Sequence, residues 1–151
     1  MNTKIVIFID PSKPFGKLTK IFTGCYAYHT AFLQEESGYI YDMYLMRRRR
    51  YWDSIKKEYE GKYLIYDSPI EILEDYFVNS ILNRSDPYGF KDYLLFGLRP
   101  IYHLFGKSTR NEKGVVCSEM ILEDLASNGW LDMPKEWKEI PSPCDWYNLL
   151  K

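Results

Sequence analysis

Few side chains in this 151-residue sequence can do acid–base or nucleophilic work near neutral pH: two histidines, three cysteines and the carboxylates that orient them. Cys117 has the setting that best suits a nucleophile. The polar stretch 107–114 precedes it, and Ile121, Leu122, Leu125 and Ala126 follow at helical spacing. Cys117 is therefore expected in the first turn of a helix. Amides there favour a thiolate, and they also serve as donors to an oxyanion during acyl transfer. The same pattern fits a small apolar residue closing a helix start.

The other two cysteines read differently. If 25–33 is a strand, Cys25 lies about 13 Å from His29 at ~3.3 Å per residue, too far to touch it. Cys144, between Pro143 and Asp145, has no base nearby in sequence and reads as structural. Three cysteines at irregular spacing, with no CxxC pair, argue against a disulfide framework and point to a reducing, cytoplasmic setting.

His29 sits in the aromatic, small-residue stretch 25–33, and Asp42 interrupts the apolar run 39–46. A hairpin turning over 34–38, centred near residue 36, sets the two almost opposite, about 5 Å apart at Cβ. A carboxylate there can hold one imidazole nitrogen and aim the other at a nucleophile. Cys25, His29, His103 and Cys117 are suitable ligand types for zinc, but their spacing matches no standard zinc pattern. Neither a metal nor a cofactor is expected.

The elements that must position these residues follow from pattern. Residues 4–9 (KIVIFI) are a β-branched run closed by Asp10-Pro11, read as a buried strand. Residues 14–22 read as a short helix. Strands follow over 25–33, 39–46 and 62–67, with a short helical excursion over 52–59. Ser68-Pro69 is expected to open a helix with its stripe at Ile70, Leu73, Phe77 and Ile81. A helix over 90–105 should break near Arg99, before Pro100. The helix after Cys117 stops at Asn128-Gly129. A proline-punctuated tail ends in a helical turn over 145–150.

Bulk properties set the frame. The length fits a single domain over 1–151, with a core large enough to fold without staples. A net charge of -1 gives no global pull toward nucleic acid or membrane. The exception is Arg47-Arg48-Arg49-Arg50, which reads either as a solvated strand end or as a place for an acidic partner. Aromatics make up 17% of the chain, enough to build a groove from amphipathic rings. No apolar run reaches membrane-spanning length.

In order, several stretches resemble the circularly permuted NlpC-type papain-like cysteine hydrolases. Gly24 to Phe32 (GCYAYHTAF) is similar to that family's histidine strand, and Ile40-Tyr41-Asp42-Met43 to the strand carrying its polar third residue. Tyr88 to Leu98 resembles the helix before the nucleophile. Val116-Cys117-Ser118-Glu119-Met120-Ile121 resembles the nucleophile helix, and Pro141 to Tyr147 the closing Ser-Pro segment. The resemblance covers roughly residue 14 to the C-terminus. It implies an α+β fold with a small antiparallel sheet packed against helices. It further implies a Cys117–His29–Asp42 triad, in permuted order, acting as an amidase or peptidase on a peptide, isopeptide or acyl substrate. Tyr26, Tyr28 and Ser118, flanking the reacting residues, are the expected substrate-binding positions. The alternative is a papain-like module that binds without turnover.

Overall fold

The computed structural model describes residues 1–10, 25–84, 117–134 and 141–151, with isolated positions 14, 17, 18, 21, 101, 104 and 105. The expected helices over 14–22 and 90–105, the stretch Tyr88 to Leu98, and His103 lie largely or wholly outside the described residues.

The fold is α+β. Five strands form one antiparallel sheet: β1 (Thr3–Ile9), β2 (Ala27–Gln34), β3 (Tyr39–Met43), β4 (Arg47–Tyr51) and β5 (Tyr63–Asp67). Their spatial order is β4-β3-β2-β1-β5. The described helices are α1 (Trp52–Ile55), continued by a 3-10 turn over Lys56–Tyr59, then α2 (Glu74–Asn83), α3 (Cys117–Ser127) and α4 (Pro143–Leu150).

β1 lies inside the sheet between β2 and β5, which explains its unbroken apolar run. Ile5 and Ile7 face α2, α3 and α4, packing with Phe32, Phe77, Ile121 and Trp146. Val6 and Phe8 face the other way, onto Ala31, Leu33, Ile40 and Trp52 of α1. Both faces of the sheet are thus covered.

The β2–β3 hairpin is present, with its turn over residues 35–38. Gly38, at φ 73°, closes it by donating its N–H to the Gln34 carbonyl at 2.8 Å. A Cβ at Gly38 would also meet the Tyr51 ring at 3.0 Å. The register differs from expectation: Asp42 pairs with Ala31, not with His29. His29 and Asp42 are diagonal neighbours, still within reach of longer side chains.

Three expectations are corrected. The helix expected from Ser68-Pro69 begins only at Glu74. Ile72 explains the delay: its N–H bonds the Thr3 hydroxyl at 2.9 Å, and its carbonyl accepts from Gln34 Nε2 at 2.8 Å. Backbone groups held this way cannot join a helical ladder. Ile72 is buried instead of the expected Leu73, which is exposed.

Arg47 to Arg50 are the second correction, because they form a strand and not a solvated end. Alternation sends Arg47 and Arg49 to the helical face and Arg48 and Arg50 to the other. The arginines are engaged internally: Arg47 on Asp124, Arg48 and Arg50 on Asp42, and Arg49 over the Tyr39 ring. Arg49 stays exposed, and Arg48 and Arg50 are partly so.

Finally, Cys25 and Cys144 form a disulfide, with Cα atoms 5.8 Å apart across a sequence separation of 119. The bond withdraws the sequence support for a reducing compartment, and it takes Cys25 out of the zinc set considered above. No helix among the described residues is long and apolar enough to cross a membrane.

Candidate functional site

β2 brings His29 to the site through an irregularity. β1 and β2 pair in step from Thr3↔Gln34 to Phe8↔His29. The register then slips, so that Ile9 faces Ala27 and Tyr28 is left over. Such a bulge twists a strand and re-aims its side chains. Ala27 consequently joins the helical-side core, while Tyr28 packs toward the opposite cluster. His29 stands where the two facings meet, with its ring 5.4 Å from that of Phe8.

Asp42 is supplied by β3 and is almost wholly buried. His29 Nε2 lies 2.8 Å from Asp42 Oδ2. Cys117, which opens α3, stands near enough to His29 for each to shift the ionisation of the other. Asp42 and Cys117 thus both stand beside His29.

The charges of the three groups follow from this arrangement. Burial alone pushes the His29 pKa down. The negative Cys117 sulfur and the Asp42 carboxylate outweigh it and raise the value to about 9. Burial likewise pushes the Cys117 thiol up, but the His29 imidazolium and the Thr30 amide bring it below its ordinary value. Burial works against ionisation of Asp42 too, and the bonds from His29 and Arg48 and the charge of Arg50 hold it well below the carboxylate range. A thiolate–imidazolium pair beside an ionised aspartate is an arrangement that can supply a nucleophile and a proton donor.

α4 braces the site. Ser142 and Asp145 form a reciprocal capping box, with the Ser142 N–H on Asp145 Oδ2 at 2.6 Å, and Pro143 takes the first helical turn. Trp146 donates its indole N–H to the Ser118 carbonyl at 2.8 Å. The Cys25–Cys144 disulfide ties the same helix to the chain entering β2. One helix thus holds the segments carrying both His29 and Cys117.

The residues expected to meet substrate part company. Tyr26 is exposed at the entry to β2. Tyr28 is partly buried against Phe8, their rings 6.5 Å apart, and burial raises its pKa to about 12. Ser118 is fully buried, and its backbone carbonyl accepts from Trp146. Sequence reading missed Arg48 and Arg50 as neighbours of the site. Their two-residue spacing opposite Asp42 is the signal that could have found them.

No family model, no curated protein and no solved structure matches this chain.

Proposed function

We propose that this chain is a cysteine hydrolase, an amidase or peptidase of permuted papain-like type, with Cys117 as nucleophile, His29 as acid–base and Asp42 as orienting carboxylate. The observation that supports it is the 2.8 Å bond between His29 and the buried Asp42, with Cys117 close enough to raise the His29 pKa. In this reading the Cys117 thiolate attacks the carbonyl carbon of an amide or ester. A C–S bond forms, and the C–N or C–O bond breaks as the leaving group takes the His29 proton. Water then adds to the thioester, giving its proton to His29 and releasing the acid and the thiolate. In this reading amides at the start of α3 are the donors to the developing oxyanion.

Labelling of the intact chain with an electrophilic thiol-directed acyl probe tests the reading. A covalent adduct on Cys117 that is lost in Cys117→Ala and strongly reduced in His29→Ala is expected. An adduct that survives Cys117→Ala sinks it. One observation favours a second reading, a binding module without turnover: Cys117 is only 5% exposed. A folded wild-type chain that takes no label would support that reading instead.

A further inference from the structure

Two of the four arginines in β4 stand immediately behind the His29–Asp42 pair. Asp42 pairs with Arg48 across the β3–β4 ladder, and its neighbour Ile40 pairs with Arg50. All three polar side chains share one face of the sheet. Arg48 grips both carboxylate oxygens: Nε donates to Oδ1 at 2.7 Å and a terminal nitrogen donates to Oδ2 at 2.9 Å. Arg50 adds a third guanidinium bond, to Oδ2 at 2.9 Å. Oδ2 is also the atom that meets His29.

We propose that Arg48 and Arg50 are positioning residues of the Cys117–His29–Asp42 site, acting on His29 through Asp42. The inference rests on the reading of that site given above. A lone carboxylate can turn about its Cβ–Cγ bond and present either oxygen. A two-pronged guanidinium fixes the carboxylate plane, because both bonds must be kept at once. Once that plane is fixed, the direction from Oδ2 to His29 is fixed too, and so is the tilt of the imidazole beside Cys117. A lysine at position 48 would keep the charge but could not hold the plane. Arg48 is itself steadied by the Tyr44 ring, whose centroid lies 4.8 Å from the guanidinium carbon. Arg49 is the internal control, since it lies on the opposite face over Tyr39, 4.4 Å from the ring centroid.

The test is a double-mutant cycle read as the rate of Cys117 alkylation by iodoacetamide against pH, in the full chain, with thermal unfolding as the check on folding. Arg48→Lys and Arg50→Met are each expected to slow alkylation at neutral pH roughly tenfold, and to move the acid limb of the profile up by about one pH unit. In an Asp42→Asn background neither change should slow it further, because the route to His29 is already cut. Arg49→Met should leave the profile unchanged. Arg48→Lys and Arg50→Met profiles that match wild type would overturn the proposal. So would the same loss with and without Asp42, which would mark a structural role only. If Arg48→Lys does not fold, Arg50→Met carries the same cycle. Failure of the underlying reading is seen in wild type alone, as a limb near the ordinary thiol value of ~8.5.

Discussion

β4 hands an arginine to a buried aspartate on each face of the sheet, and the two aspartates respond in opposite directions. Asp124, on α3, is held by Arg47 through both oxygens at 3.0 and 2.8 Å and by the Tyr76 hydroxyl at 3.0 Å. Burial raises its pKa, and Arg47, Tyr76 and the more distant Arg84 do not bring it back. Asp42 is equally buried, yet its pKa is lowered. The difference is the number of cations bonded to it: the imidazolium of His29 and the guanidiniums of Arg48 and Arg50, against one guanidinium at Asp124. Both carboxylates neutralise buried charge. Of the two, only Asp42 has its pKa lowered, and it sits beside the imidazole of His29.

The contrast is broken most sharply by amidation of each aspartate. Asp42→Asn removes the partner that keeps His29 protonated. The Cys117 thiol should drift back toward ~8.5, with alkylation at neutral pH slowed roughly ten- to a hundredfold. Asp124→Asn should leave that rate within about twofold of wild type. Equal losses in the two variants, measured side by side, would erase the distinction.

Stability should show the reverse order. Arg47→Met strands the Asp124 carboxylate in the interior, where breaking one side of a buried pair costs about 3–5 kcal/mol. Denaturant unfolding would read this as a lowered midpoint, and a loss below about 1 kcal/mol would mean that water reaches Asp124. Cys144→Ser frees α4 from the entry to β2. It should cost about 2–4 kcal/mol, and reductant should have the same effect on wild type. Identical melting with and without reductant would show that the capping box and the Trp146–Ser118 bond hold α4 unaided.

Much of the sheet was legible because its strands carry ordinary signals. Residues 4–9 are a continuous β-branched run, and 25–33 and 39–46 flank a glycine-bearing turn. The start of α3 at Cys117 was legible from apolar spacing. β4 was not, since four successive arginines show no apolar alternation. The burial of Arg47 and the partial burial of its neighbours depend on acids 77 and 6 residues away, at Asp124 and Asp42. The start of α2 was hidden for a similar reason, because Thr3 and Gln34 claim the Ile72 backbone from other strands. The disulfide was illegible because its partners lie 119 residues apart and a third cysteine makes the count odd.

For the site, Cys117, His29 and Asp42 could be named from residue type and order. Their connection is diagonal instead of directly cross-strand, because the turn spans four residues, 35–38, and Asp42 falls opposite Ala31. The full burial of Ser118 was not legible either, because its position next to Cys117 says nothing about exposure.

Cys117 is the one cysteine outside the disulfide, so its ionisation can be read without interference from another thiol. The most direct measurement is the ultraviolet absorbance of its thiolate, taken as the difference between wild type and Cys117→Ala across pH. The signal should appear well below the ordinary thiol value of ~8.5 and be largely developed before His29 loses its proton at about 9. His29→Ala should move its appearance to higher pH. A single rise near ~8.5 in wild type, unmoved by His29→Ala, would contradict an activated cysteine at this site.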